Sequence, residues 1–356
     1  MTERAEDGET LTAAPAVRLT GADESFTHQL VAPHMETLHR DPAWGDRCYH
    51  QLFFDDITVS AGRQLYVNDG RRFAYIGVAT PERQYVVRCA EPFTIGDDPN
   101  QARIGDVAIE IVRPLEEIRI VADGDDSPVR ADLTFTGRFV PVQAARHLIK
   151  KGETVLTDYM NFFQSGTYSG TIEAGGRTYE LRDHAGFRDR GWGLRKHEGS
   201  GQRGFMVAAF CELGDSSIYT ILYETASGRR AFTNGWLIAD GGVRAEATAI
   251  EHEMQLDGTL ATGGSLDITW SDGNRQTLEF DVVGRNYLAA IGYTRDEDLK
   301  APGAETFDLT DPAVVARLDG QNDQGCVFRY GGETGHGYVE TGVGIHKRYR
   351  PEAGGG

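Results

Sequence analysis

Residues 168–195 read YSGTIEAGGRTYELRDHAGFRDRGWGLR. Two runs, Tyr168 to Glu173 and Thr178 to Leu181, mix branched and aromatic residues with polar ones and are separated by Gly175-Gly176. Strands on either side of a glycine turn write a β-hairpin. Beyond it, residues 184–197 gather three arginines, one aspartate, two histidines and a tryptophan. In an extended chain successive side chains take opposite faces, so Arg188 and Arg190 share one side while Asp189 and Gly191 share the other. Glycines on both sides of Trp192 allow a bend or a close approach. The indole offers a flat wall on which a guanidinium can stack.

The same pattern extends outward. Val107, Ile109 and Ile111 are spaced by two, as are Leu133 and Phe135, where a helix would need spacings of three and four. Asn68-Asp69-Gly70, Asp240-Gly241-Gly242, Asp257-Gly258 and Asp272-Gly273-Asn274 are turn signals between strand-like runs. Val243 to Met254 holds helix-favouring alanine and glutamate, but it lies between two hairpin-type turns and is read as a strand. Pro141 to Lys151 is expected to be a short helix or loop linking two β units. Asp311 to Leu318 is the best short helix, with Asp311 as its cap and Pro312 in its first turn. The fold expected is all-β and antiparallel, with very little helix, in two parts closed as barrels or sandwiches around a cavity. The division expected is a flexible tail at 1–25, one β domain at 26–150 and a second at 151–350.

Composition narrows the function classes. The chain of 356 residues carries 36 basic and 54 acidic side chains, a net charge of −18. That is the opposite of a nucleic-acid footprint and argues against adsorption to an anionic membrane. No apolar run approaches the roughly 18 residues of a membrane span, and the polar N-terminus does not read as a signal peptide. Four cysteines, Cys48, Cys89, Cys211 and Cys326, form no CxxC pair. They read as scattered thiols in a reducing compartment, so a cytoplasmic location is expected. His184, His197, His252, His336 and His346 lack metal-ligand spacing, and neither a nucleophile elbow nor a phosphate-binding glycine loop occurs. No metal and no cofactor are expected.

The polar cluster supports two readings. At a cavity, desolvation would raise the pKa of Asp189 toward that of a general acid, while adjacent arginines would pull it down. Alternatively the arginines and Asp189 form a buried network joining two domains. Arg188 and Arg195 accompany Asp189 as candidate catalytic residues. Trp192, Arg190, Gln164, Tyr168, Asn234, Trp236, His336 and Glu340 are the candidate substrate-binding residues. Asn234 and Trp236 share a strand face, as do His336, Tyr338 and Glu340. Arg188, Arg190 or Arg195 would anchor any carboxylate or enolate.

This segment resembles the hallmark of a family of two-domain lipocalin-like proteins. That family includes the carotenoid 1,2-hydratases (hydroxyneurosporene synthases), uncharacterised bacterial relatives and natural-product cyclases. Its core is Arg/Tyr-x-Asp-His-Ser/Asn-Trp-Gly-x-Arg, which Asp189, Trp192, Gly193 and Arg195 match, with Arg188 matching the arginine variant. Gly335 to Glu340 resembles the family's closing Gly-x-Gly-x-x-Glu strand. Arg190 and Gly191 depart from the pattern, standing where relatives carry histidine and serine or asparagine.

The resemblance implies two lipocalin-like antiparallel domains and acid chemistry at Asp189. The activity expected is cofactor-independent hydration, isomerisation or cyclisation of a largely apolar isoprenoid, polyketide or aromatic molecule, in an enclosed β-barrel cavity at or near the domain interface. The alternatives are a non-catalytic carrier of hydrophobic ligands and a β-sandwich carbohydrate-active module. The expected partner is a hydrophobic small molecule, without nucleic acid, and a homodimer is compatible with the reading.

Overall fold

A computed structural model describes residues 9–11, 19–31, 36–37, 40–54, 56–94, 96–151, 153–196, 204–294 and 296–351. Residues 1–8 and 12–18 of the expected tail, and His197, lie outside the described residues.

The first half runs through β1 (Glu9–Leu11), β2 (Leu30–Val31), β3 (Glu36–Thr37), β4 (Trp44–Phe54), β5 (Ile57–Tyr66), β6 (Arg71–Ala79) and β7 (Arg83–Pro92). It continues with β8 (Arg103–Ile104), β9 (Val107–Arg113), β10 (Glu117–Ala122), β11 (Val129–Gly137), β12 (Val142–Gln143) and β13 (His147–Lys151). Two long strands follow, β14 (Thr154–Ala174) and β15 (Arg177–Arg195). The second half holds β16 (Gly204–Glu212), β17 (Ser216–Thr225), β18 (Arg230–Ala239), β19 (Gly242–Asp257), β20 (Leu260–Trp270) and β21 (Arg275–Tyr287). After these come α1 (Glu297–Lys300), β22 (Gly303–Asp308), α2 (Pro312–Leu318), β23 (Gln321–Tyr330) and β24 (Glu333–Val343).

Val243 to Met254 is strand, inside β19, and Asp311 caps α2 by accepting from the Ala313 N–H at 2.8 Å. Pro141 to Lys151 is neither helix nor plain loop. It supplies β12 and β13, which pair with β14 because that strand extends well beyond the hairpin legible around Gly175-Gly176.

The strands form two β units. One is a fourteen-stranded sheet with the path β22-β7-β6-β5-β4-β15-β14-β11-β10-β9-β8. Its core joins Leu52, Ile76 and Val87 from one part of the path to Ile109, Ile120 and Leu133 from the other, so the sheet curls over its own apolar face. The other unit is a closed barrel, β16-β17-β18-β19-β20-β21-β23-β24. Of the two parts expected as barrels or sandwiches, only the second closes as a barrel.

The expected division at residue 150 does not coincide with the change of sheet. β14 and β15 pair with each other and with β11 and β4, so residues 154–195 belong to the first sheet and the barrel starts at β16. The barrel also lends a strand back. Between β21 and β23 the chain leaves it, and β22 pairs with the edge strand β7.

β16 explains how the units meet. Phe205, Val207, Ala209 and Cys211 point into the barrel core, while Met206, Ala208 and Phe210 pack against Phe163 and Phe187 of the first sheet. A strand buried on both faces reads as a continuous apolar run, and FMVAAFC is one. Polar contacts fix the orientation: Gln84 donates to Asn286 at 2.5 Å, Asn286 donates to Ser60 at 2.7 Å, and Arg138 bonds Glu212 at 2.7 Å.

Residues 20–25, expected at the end of the tail, are built into the first unit. A 3₁₀ turn at Gly21–Glu24 buries Glu24, which forms an ion pair with Arg188. Both side chains are almost wholly buried, so losing one leaves an unpaired internal charge. Glu24→Ala is expected to destabilise the protein by about 3–5 kcal/mol, measured by urea denaturation. A change below about 1 kcal/mol would mean that the pair behaves as an exposed one.

Candidate active site

The polar cluster is divided by the alternation of β15. Arg188, Arg190 and Trp192 point to one side. Arg188 donates to Gln164 at 2.8 Å and pairs with Glu24. Arg190, fully buried, bonds Asp46 at 2.8 Å and lies over the ring of Phe26 at 4.2 Å. Trp192 stacks on His28, with centroids 3.9 Å apart, and Arg190 lies 5.8 Å from the indole. The arginines are thus satisfied within the first unit.

Asp189 and Arg195 point the other way, toward the barrel. Asp189 lies opposite Tyr49 of β4 and Phe163 of β14. Gly191 lies opposite Arg47 and Asn161, and Gly193 opposite Gly45 and Tyr159. These glycines make room. A Cβ at Gly191 would sit 2.0 Å from the Tyr159 hydroxyl, and Gly193 has φ +129° with the Asp158 carbonyl 2.2 Å from where its Cβ would be. The barrel faces them with a second row: Asp323 of β23 lies directly opposite Glu340 of β24, which lies opposite Ala208.

Between these surfaces lies a chamber of about 70 Å³ lined by Asp189, Glu340, Arg195, Asn161 and a wall of phenols and phenyl rings. It holds a few water molecules or the end of a larger molecule. It lies outside the barrel, whose interior is filled by Phe205, Trp270, Phe280 and Phe328, so the cavity expected in a barrel at or near the domain interface lies between the units rather than within the barrel. A larger cleft of about 390 Å³ adjoins it, and Arg47, Arg195, Tyr293 and Gln321 line both. One wall comes from Ile291, Lys300 and Pro302 of the excursion between β21 and β23.

The electrostatics are unusual for carboxyls. Burial pushes Asp189 up to about 7, reinforced by Glu340 and opposed by Arg195, by Arg190 and by a hydrogen bond from Asn161. Its Oδ1 is buried and has no hydrogen-bond partner. Burial also raises Asp323 well above the carboxylate range, with Glu340 adding to the effect, and raises Glu340 against the pull of Arg195. Two acids directly opposite across a strand pair resist joint ionisation, so they titrate as a pair. Tyr49 donates to Asp323 and Gln321 donates to Glu340.

Arg195 and Glu340 line the chamber beside Asp189. Arg188, Arg190 and Trp192 do not reach it, because they occupy the opposite face of β15. Gln164 is spent on the carbonyls of Leu115 and Phe139 and on Arg188. Tyr168 is core, donating to the Phe187 carbonyl at 3.1 Å. Asn234 accepts from the Ala145 N–H at 2.9 Å, and Trp236 stacks behind Tyr219 at 5.3 Å. His336 shares a strand face with Glu340 but is exposed.

The sequence reading missed Arg47, Tyr49, Tyr159, Asn161, Tyr219, Tyr223, Gln321 and Asp323. One signal was present: Gln321-Asn322-Asp323-Gln324 is a polar run leading directly into GCVF, and Asn322, Asp323 and Gln324 are all fully buried. Buried polar runs of this kind need a local partner set. Among the described residues, no group of three or more His, Cys, Asp or Glu is arranged to hold a metal ion, and no helix is long and apolar enough to cross a membrane.

Fold and site define a class of protein: two antiparallel β units that clasp an acid-lined chamber at their interface. The chain belongs to the family described as "Domain of unknown function (DUF7064)", whose model matches residues 57–297. No curated protein matches it. Its fold is similar to that of kievitone hydratase from Nectria haematococca, with TM-score 0.56, 11% identity and coverage of 95% of this chain and 97% of that one. It is also similar to a Nitrosomonas europaea protein provisionally termed AttH, with TM-score 0.55, 12% identity and coverage of 93% and 99%. The likeness is one of β-rich fold and does not single out the carotenoid 1,2-hydratases.

A raised carboxyl pKa means that the folded protein holds its proton more tightly than the unfolded chain. The stability from that proton is complete below the unfolded value near 3.8 and is lost as pH rises through about 7. Asp189→Asn removes this loss. Relative to the parent, it is expected to gain stability between pH 4 and pH 8, by up to about 4 kcal/mol. Urea midpoints at the two pH values test this, and an unchanged difference would place Asp189 in a solvent-like environment.

Proposed function

We propose that this protein is an enzyme that adds water to, removes it from, or isomerises an unsaturated and largely apolar small molecule, with Asp189 as the general acid. The observation that carries this reading is the Asp189 carboxyl, which is raised to about 7, lines the chamber and has one oxygen unpartnered. An acid whose pKa lies near the working pH is both protonated and able to release its proton.

In the hydration direction, Asp189 gives its proton to one carbon of a double bond. A water molecule bonds to the other carbon and loses a proton to the Asp323–Glu340 pair, and a return of that proton to Asp189 closes the cycle. The net change is the loss of one π bond and the addition of one water. Separate environments suit the two roles: one carboxyl alone, and two coupled across a strand pair. Phe210, Tyr219 and Tyr338 present aromatic surfaces toward positive charge developing at carbon. The same groups run dehydration in reverse. The fold likeness to a protein named as a hydratase is in keeping with this chemistry.

The test begins with compounds extracted from the purified protein and identified by mass spectrometry, together with a panel of unsaturated isoprenoids, phenolics and acids. Each is incubated in ¹⁸O-labelled water. Asp189→Asn is expected to lower incorporation or isomerisation by about 10²–10⁴-fold while leaving binding in place. The parent rate is expected to fall as pH rises through about 7, where Asp189 loses its proton. Unchanged turnover in Asp189→Asn overturns the assignment, and binding without any turnover points to a carrier.

A further inference from the structure

The passage between the two cavities holds two guanidiniums that, among the described residues, form no ion pair. Arg47 is buried and lies 5.1 Å from the ring centroid of Tyr66 and 5.4 Å from that of Tyr159. It donates to the Tyr66 hydroxyl at 3.1 Å and to the Ala43 carbonyl at 3.2 Å. Arg195 lies 5.5 Å from the Tyr159 ring and hydrogen-bonds Tyr223. Among the described residues, no ion pair joins either arginine to a carboxylate. Their neighbours in the cleft differ: Arg71 pairs with Asp69, Lys196 with Asp41 and Arg88 with Glu305.

Two like charges held close together in a protein of net charge −18 need an explanation. Burial and the neighbouring Arg195 work against the charge on Arg47, and burial works against that on Arg195, while the surrounding phenols hold both guanidiniums charged. Glu340 attracts Arg195 but forms no ion pair with it: its carboxyl accepts from Gln321. An anion delivered by a ligand would meet two partly desolvated guanidiniums, the arrangement that binds carboxylates best.

We propose that the substrate is an amphipathic organic acid whose carboxylate docks on Arg195 and Arg47 at this passage. Its apolar body lies along the outer cleft, against Phe73, Tyr75, Ile291 and Pro302. The cleft's 390 Å³ falls within the roughly 300–1,000 Å³ of small-molecule sites. The inner chamber admits little more than the end of such a molecule, so the reacting carbons are those next to the carboxylate. This names the substrate class for the acid–base reading above and rests on it.

Calorimetric titration with octanoate and with octan-1-ol at pH 6, where Asp189 keeps its proton, separates the charge from the tail without requiring turnover. The wild-type protein is expected to bind octanoate roughly tenfold more tightly or better. Arg195→Gln is expected to erase that preference while binding the alcohol as the wild type does, which also establishes that the cleft remains folded. Arg195→Lys keeps the charge without the planar fork and is expected to retain part of the preference, so it serves if Arg195→Gln does not fold. Asp189→Asn is expected to keep the full preference. Equal binding of acid and alcohol by the wild type, no binding of either, or an intact preference in Arg195→Gln overturns the proposal. The acid–base reading fails by a different result, unchanged turnover in Asp189→Asn, which can occur with the octanoate preference intact.

Discussion

From Gly186 to Leu194, β15 is held between β4 and β14, and its side chains alternate between two enclosed surroundings. One side faces the interior of the curled first sheet, the other faces the barrel. Neither side is open water there, so each charge on this stretch must be answered locally. On the inner side Glu24 and Asp46 answer Arg188 and Arg190. On the outer side Asp189 is driven toward its neutral form and, among the described residues, Arg195 has no ion-pair partner.

This division bears on two readings of one segment. A buried network joining two domains and a chemical site were alternatives for the arginine–aspartate cluster; the fold satisfies Arg188 and Arg190 within the first unit and turns Asp189 toward the interface chamber. The inner network ties Glu24, Phe26 and Asp46 to the strand. The strand then holds Asp189 toward the acid pair on the barrel. A rigid support of this kind is what a proton-transferring group requires, since misplacement by about an ångström can cost two orders of magnitude in rate.

The barrel supplies the second surface, and its contribution is mostly aromatic. Phe163 stacks on Tyr219 at 3.9 Å, and Phe210 stacks on Tyr338 at 4.4 Å. These rings seal the chamber and keep its effective dielectric low, which raises the carboxyl pKa values. The excursion from β21 to β23 ties the units together and builds one wall of the outer cleft.

The sequence by itself determined the β character, the hairpin turns, the capped α2 and the opposition of Arg188 and Asp189 across β15. All of these follow from local rules: period-two alternation, glycine turns and side-chain capping. It also marked Asp189, Arg195 and Glu340. Tertiary structure alone decided which face of β15 met the barrel, that β14 and β15 belong with the first sheet, and that Asp323, Tyr49 and Arg47 join the site. These depend on cross-strand register and on packing between units, which bring together residues as distant in sequence as Tyr49 and Asp323. Nothing in the spacing of a single strand encodes what another sheet will place opposite it.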